Sequence, residues 1–552
     1  MIQDALRSAL RQALVTAGLP EPRVGIVLDV PRDRDHGDWS TPVAMGLAKQ
    51  VGRPPLAIAE DLKGALEAAA VPHLERIEIA GPGFLNLHLG RSWLHEVLRD
   101  VVAEGVRFGT GDTLAGRCIN IEFVSANPTG PLHAGGGRWV AVGDAIANLL
   151  AAFGADVHRE YYLNDAGAQL VKFRDSLYAR YLGKEPPDEG YHGHYLLDMA
   201  SLLRAELGDD VDPDTACEWG YRKVVASLQD DLGRIGVHFD TWFSERTLHE
   251  RGDVAAVLRD LDARGATYEA DGAKWLRATD FGDTRDRVLV RSDGATTYLC
   301  NDFAYHRDKF TRGFTHLIDI WGADHHGQVR SLHAGMEALG YPAGEPEIVL
   351  GQFVKLVQNG KEVRLSKRTG NIIALADILD EVDPDVARMV FLLQSIDSPQ
   401  TFDLDIVTAQ SMENPVYYVQ YAHARIASIG RKAASAGVVR RPLGTVDLAP
   451  LTHDRELELL RALALYPGVV ADAAETRAPQ KVSTWVRDLA RGFHGFYRDC
   501  RVLSEDDDLT HARLWLTEAC RVGLANALGI LGVNAPDEMS RLDDDTDDVP
   551  PA

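Results

Sequence analysis

Cys118-Ile-Asn-Ile-Glu-Phe-Val-Ser-Ala-Asn-Pro-Thr-Gly-Pro-Leu-His-Ala-Gly-Gly-Gly-Arg138 decides the fold. Cys118 to Val124 is an apolar run with Asn120 and Glu122 interleaved, the pattern of a strand in a covered sheet. Asn127-Pro-Thr-Gly-Pro131 reads as a turn. Beyond it Trp139, Val142, Ile146, Leu149 and Phe153 fall along one helical face, and Asp156 to Tyr162 reads as a second strand. Strand, Gly-rich loop, helix and strand make the first half of a nucleotide-binding parallel sheet. Gly135, Gly136 and Gly137 let the backbone approach a ligand closely. The helix start offers amides and the positive end of a dipole to a phosphate, with His133 as a further donor. Taken alone, a Gly-rich turn with a satisfied histidine has the same sequence.

Working outward, sheet-like pattern returns at Leu317 to Trp321 and Ile348 to Leu350, placing a catalytic α/β domain over about 115–400. Residues of about 170–290 are mixed and polar and read as an insertion in it. Arg364-Leu-Ser-Lys-Arg-Thr-Gly370 follows the later strand, and its cations suit a polyphosphate whose charge grows during displacement. Residues 1–95 read as a small α/β unit: a helix to Ala17, a strand from Arg23 to Val30, helices at Pro42 to Gln50 and Leu56 to Ala70, then a strand–turn–strand around Gly81-Pro-Gly83. From about Asp405 the pattern is helical, with amphipathic stretches at Arg455 to Ala474 and Arg513 to Leu531 and Gly532 at a C-cap position. A helical domain over 405–539 and an acidic, solvated tail over 540–552 complete the chain.

The net charge of −24 argues against a nucleic-acid partner only in the far field, because local patches decide phosphate binding. None of the five cysteines forms a CxxC pair, so no structural zinc is expected. No window approaches ~18 uninterrupted apolar residues. Met1-Ile-Gln-Asp4 lacks the basic-then-apolar order of an export signal. A cytoplasmic protein without a membrane span is the expectation.

The segment Ala126 to Gly136 resembles the first ATP motif (HIGH) of class I aminoacyl-tRNA synthetases, and Leu365-Ser-Lys-Arg368 resembles the second (KMSK). Glu122-Phe-Val-Ser125, Glu160-Tyr-Tyr-Leu-Asn-Asp-Ala-Gly167, Trp321-Gly-Ala-Asp-His-His-Gly327 and Asn414-Pro-Val-Tyr-Tyr-Val-Gln-Tyr-Ala-His-Ala-Arg425 look specifically like the arginyl-tRNA synthetase family. The resemblance runs from His36-Gly-Asp38 to Leu531-Gly-Val533. Four positions depart from the family pattern. Gly136 stands where a second His is usual, Arg364 and Leu365 where Lys and Met are usual, and Trp39 where Tyr is more frequent. Arg138 is one candidate to replace the missing imidazole.

The resemblance implies a Rossmann-type catalytic sheet, a small N-terminal α/β domain that touches the tRNA elbow, and a C-terminal all-α anticodon-binding domain. It implies arginine-tRNA ligation with ATP and Mg²⁺, activation that requires bound tRNA, and a monomer. On the residues it places His133, Gly135, Gly136, Ser366, Lys367 and Arg368 at the ATP phosphates. Glu122, Asn127, Asn164, Tyr298 and Asp302 fall at the arginine, and Asp324, His325 and His326 beside the adenosine. A helical segment at Tyr298 would set it and Asp302 on one face. Asp324-His-His326 read by itself is also compatible with a metal site. Tyr417, Tyr421, Arg425 and Arg498 are candidates for tRNA contacts, since exposed bases are read by rings and arginines. Three other readings stand beside it: a class I synthetase for another amino acid, a paralogue that activates arginine for small-molecule biosynthesis without tRNA, and a catalytically dead tRNA-binding or regulatory protein.

Overall fold

The computed structural model describes residues 2–362, 373–408 and 414–539. Two compact units emerge: residues 1–106 with 430–465 and 495–522, and residues 107–429 with 466–494 and 523–552.

In the first unit, helices α1 (Ile2–Thr16), α2 (Val43–Val51) and α3 (Pro55–Ala68) cover a three-stranded sheet of β1 (Trp39–Thr41), β2 (Leu74–Ala80) and β3 (Phe84–Leu89), ordered β1-β3-β2. Leu6, Leu10, Ile58, Leu62, Leu85 and Leu87 meet in its core. Arg23 to Val30 is not the strand its alternation suggested. It carries one isolated bridge, Asp29 to Ser40, because the β1 register places only that residue opposite a partner. Trp39 is 3% exposed, so its ring belongs to this core and is not presented to a ligand. Helix α4 (Ser92–Glu104) closes the segment.

The second unit is built on a five-stranded parallel sheet. Its strands are β4 (Cys118–Glu122), β5 (Asp156–Leu163), β6 (Thr241–Ser244), β10 (His316–Gly322) and β11 (Glu347–Gly351), ordered β11-β10-β4-β5-β6. Between β6 and β10 lies a separate antiparallel sheet of β7 (Thr267–Ala270), β8 (Ala273–Leu276) and β9 (Arg287–Val290). The stretch read as an insertion therefore also contains β6, a full member of the catalytic sheet. Its four residues, Thr241-Trp-Phe-Ser244, are too few to show a period.

Helix α5 (Gly137–Ala152) crosses from β4 to β5. It is buried almost all round, not along one stripe, because Val140 to Ala147 are all below the surface. Helices α6 (Ala168–Tyr181), α7 (Tyr195–Leu207) and α8 (Pro213–Arg234) form the helical excursion, followed by α9 (Arg246–Arg251) and α10 (Asp253–Ala263). Helices α11 (Tyr298–Thr311) and α12 (His326–Ala338) flank β10 in sequence. Then come β12 (Val354–Gln358), β13 (Lys361–Glu362), α13 (Leu375–Glu381), α14 (Pro384–Phe391), β14 (Gln400–Asp403) and α15 (Leu404–Val407).

Helices α16 (Pro415–Ser435), α17 (Asp454–Glu475), α18 (Gln480–Asp499) and α19 (Asp507–Leu531) complete the described chain. The end of α19 docks on the catalytic sheet's own helices. Arg388, 1% exposed, donates to Leu531 O at 3.2 Å and Ile235 O at 2.9 Å and pairs with Asp144 of α5. Asn148 of α5 donates to Ile530 O at 3.1 Å. Gly532 ends the helix at φ +68°, and a Cβ there would lie 1.9 Å from Arg388 Nη2, so both backbone and space require glycine.

Candidate active site

In an open parallel sheet, ligands bind outside the carboxyl ends of the strands where the strand order reverses. Here that point lies between β4 and β10, since the chain steps from β4 to β5 on one side and returns to pair β10 on the other. Glu122, Asn164, Glu245 and Asp324 all stand at or just past the carboxyl ends of these strands.

Past β4 the chain bends sharply. Val124 and Ser125 sit at φ +70° and +39°, and a β-branched residue at positive φ is a costly exception, ~1–3 kcal/mol. The bend is held by Ser125 Oγ, which donates to Glu122 Oε1 at 2.8 Å and accepts from Tyr162 N at 3.0 Å. It carries Ala126 to His133 back across the strand ends. Ala134 N then donates to Ile373 O at 3.0 Å and Leu375 N to Leu132 O at 2.7 Å. The KMSK-like residues, Ser366, Lys367 and Arg368 among them, lie outside the described residues.

His133 accepts from Gly135 N through Nδ1 at 2.9 Å, which puts the proton of the neutral ring on Nε2. Gly136 N donates to His133 O at 2.7 Å, and Gly137 N to Ala134 O. The amides of Gly135 to Gly137, which the sequence offered to phosphate, are thus used within the turn, and that of Ala134 is taken by Ile373 O. A 3₁₀ turn ahead of the helix takes up the donors that a free N-terminus would present. Gly136 has room for a Cβ only 3.0 Å from Leu132 Cδ1. Arg138 does not replace the missing imidazole. It is 0% exposed and donates to Gln352 O, Ser395 O and Ser398 O, and burial pulls its pKa down to about 10.

Beneath the crevice, the register sets Asp319, Glu122 and Glu160 side by side on β10, β4 and β5. Three neighbouring carboxylates on one face repel. Above them α11 presents His306 and Lys309, and its C-cap residue Arg312 continues the three-residue spacing along the same face. His306 Nε2 pairs with Asp319 Oδ2 at 2.6 Å and Nδ1 with Asp302 O at 2.7 Å. With both nitrogens donating, the ring is an imidazolium. Burial opposes its charge, but Asp319 raises its pKa. Lys309, 0% exposed, donates to Glu122 Oε2 at 2.7 Å and Asp319 Oδ1 at 2.9 Å. Arg312 grips Glu160 with two bonds of 2.7 Å, and Tyr305 adds a third at 2.8 Å.

Asp302, one helical turn after Tyr298 on α11, is the exception. Its carboxylate makes no hydrogen bond or ion pair among the described residues. Desolvation, and the neighbouring charges of Glu122, Glu245 and Asp319, push it up to about 7 against the pull of His306. Glu245, 1% exposed, accepts from Asn301 at 2.8 Å, and burial raises its pKa. Glu245 escaped the sequence reading. It follows the short β6, and only the Asp302–Glu245 juxtaposition in space marks it. Tyr298 is 54% exposed at the mouth. Asn127 is exposed and Asn164 half-buried, next to Asp165, which Tyr221, Ser244 and Arg246 anchor. The result is an acidic pocket with an unmatched carboxylate, suited to a cation with several donors.

Asp324 and His325 are exposed, 3.7 Å apart, in the turn before α12. His326 lines a cleft of about 460 Å³ with Arg287, Arg330, Ile348 and Leu350. Among the described residues no group of three or more His, Cys, Asp and Glu is placed to hold a metal.

In the helical region Tyr417 stacks on Tyr421 at 6.1 Å, and Arg425 lies 4.5 Å over the Tyr421 ring. Tyr421 is 6% exposed, so this stack is internal packing. Arg498 of α18 is 72% exposed, beside Asp499.

Residues 1–89 match the family described as Arginyl tRNA synthetase N terminal domain, residues 209–393 tRNA synthetases class I (R), catalytic domain, and residues 419–539 DALR anticodon binding domain. A solved arginyl-tRNA synthetase from Thermus thermophilus shares the fold, with a TM-score of 0.76 at 21% identity over 98% of this chain and 100% of that one. The switch-point sheet, the His133 turn and these matches define a class I aminoacyl-tRNA synthetase. The chain is 46% identical to the arginine–tRNA ligase of Moorella thermoacetica over 93% of its own length and 94% of that protein's. It is 45% identical to that of Syntrophotalea carbinolica over 98% and 99%. The chain belongs to the arginine–tRNA ligase family.

Proposed function

We propose that this chain activates L-arginine with ATP and transfers it to the 3′ end of tRNA(Arg), with the following division of labour. The observation that carries it is the unmatched Asp302 carboxylate beside Glu245, at the switch point of a class I sheet. The arginine guanidinium, a planar fork of donors, pairs with Asp302 under the wall of Tyr298, with Glu245 as the second acid. Glu122, Asn127 and Asn164 orient the α-amino and carboxylate end.

A carboxylate oxygen of arginine then attacks the α-phosphorus of ATP, the bond to the β-phosphate oxygen breaks, and pyrophosphate leaves. A ribose hydroxyl at the tRNA 3′ end next attacks the arginyl carbonyl, and AMP leaves. Positioning and charge stabilisation carry the first step. His133 Nε2–H serves as donor to the phosphates with Gly135 and Gly136 allowing close approach. Ser366, Lys367 and Arg368 meet the pyrophosphate; further along the chain, Ile373 O accepts from Ala134 N of the His133 turn. Asp324, His325 and His326 flank the adenosine. Mg²⁺ bound with the nucleotide would supply countercharge to its phosphates.

For tRNA, the exposed Arg498 and the rim of Tyr417 and Arg425 are the contact candidates, with buried Tyr421 as their support. We read the protein as a cytoplasmic monomer. Charging of total tRNA is measured with each of the twenty amino acids, ATP and Mg²⁺. Arginine alone is the expected substrate, and no charging with arginine overturns the assignment.

A further inference from the structure

The acids beneath the pocket are not equivalent. Asp319 and Glu160 lie wholly inside the sheet–helix layer, at 0% exposure. Glu122, in the same row, is the one at a strand's carboxyl end, 9% exposed, with Ser125 on its second oxygen. Two bonds fix the Glu122 carboxylate, and one of them comes from Lys309, which divides its ammonium between Glu122 and Asp319. The Lys309 ammonium also sits 4.4 Å from the Tyr305 ring centre, so its position is set on all sides.

We propose that Lys309 is a positioning residue for arginine: bridging Glu122 and Asp319 under the pocket, it fixes the Glu122 carboxylate in orientation and in charge. The inference rests on the reading above that Glu122 meets the substrate's α-amino end. The physical reason is the register. Glu122 has an acid beside it on either strand, and Arg312 and His306 are committed to the outer two. Without Lys309, Glu122 and Asp319 face each other in a desolvated row, and one of them takes up a proton. His306, Asp302 and Tyr305 of α11, Arg312 at its C-cap, and Glu160 and Tyr162 of β5 are the other titratable groups around this point. Asp319 is the more strongly held anion, because His306 remains on it, so Glu122 is the one neutralised. A neutral Glu122 no longer attracts the substrate's ammonium group, while the ATP turn at His133 is untouched.

The test is arginine-dependent ATP–pyrophosphate exchange with tRNA present, using the full chain, from about pH 6 to about 9. It compares wild type, Lys309→Met and the charge-balanced pair Lys309→Met with Asp319→Asn. In Lys309→Met the arginine KM is expected to rise ~10-fold or more near pH 7, with the ATP KM within about twofold. The defect shrinks toward alkaline pH, and the paired variant recovers most of the arginine affinity. If Lys309→Met does not fold, as judged by thermal melting, the paired variant carries the test through its pH profile. Arginine and ATP KM rising together, or an arginine defect that ignores pH and survives in the pair, overturns the role of Lys309. Wild-type exchange that does not depend on arginine overturns instead the reading on which the inference rests.

Discussion

The hydroxyl of Tyr195, at the start of α7, donates to the carbonyl of Thr129 at 2.6 Å, and its ring lies where a Cβ on Gly130 would come within 3.0 Å. A side chain of the helical excursion thereby holds the turn that leads into His133. Tyr195→Phe leaves the buried Thr129 carbonyl without its donor, an expected loss of about 1–2 kcal/mol in denaturant unfolding. The ATP KM is expected to rise while the arginine KM stays near wild type, measured by pyrophosphate exchange.

Asp302→Asn removes the carboxylate of the pocket that has no partner among the described residues. The arginine kcat/KM is expected to fall ~10²–10³-fold, the scale of a lost buried charge pair, with little change in the ATP KM. Citrulline, the neutral isostere, should then be discriminated less, as inhibition constants for the two amino acids would show. Glu245→Gln is expected to move both quantities the same way and by less, since Asn301 still holds the side chain.

Gly136→His places a Cβ 3.0 Å from Leu132 Cδ1, in a site where Leu132 is 3% exposed. Crowding of this degree is expected to lower unfolding stability by about 1 kcal/mol. Combined with Leu132→Val, which makes room, the added imidazole is expected to raise the kcat of arginine activation. A kcat unchanged in the stable pair would mean that the turn functions fully without it.

At the opposite, amino end of the sheet His316 sits between Glu345 at 2.6 Å and Glu347 at 2.9 Å. Hydrogen bonds to Glu345 and then Glu347 push it up to about 9, against burial. The folded pKa lies above the unfolded one, ~6.5, so the stabilisation is complete below that value and is lost as pH rises through about 9. With the ring partly exposed, on the order of 2 kcal/mol is expected. Unfolding titrations of wild type and His316→Gln should converge by about pH 10.

Much of this was legible in the chain. The strand at Cys118, the helix from Gly137 and the strand at Asp156 stand where the sequence places them, and the placement of Tyr298 and Asp302 on one helical face needs only the α11 repeat. What was not legible depends on register and distance. Glu122 reads as a polar residue in a strand, and only the pairing of β10, β4 and β5 reveals a row of three acids. Arg138, beside a phosphate motif, looks like a ligand until three backbone carbonyls 214 to 260 residues away claim it. The amides of the Gly-rich turn look open until the 3₁₀ geometry closes them. The segment at Arg23 alternates as a strand does, but alternation cannot supply a partner.

The Arg388 contact has a bearing on how the chain comes to be made. Its buried guanidinium needs Asp144 and Ile235 from the catalytic sequence and Leu531 from the last helix. During synthesis the first two emerge well before the third, and until then a cation is left in the interior short of an acceptor. The nascent catalytic layer therefore stays unlatched until α19 has been made, and a gene fragment stopped before α19 would yield a sheet whose central helix has lost its clasp.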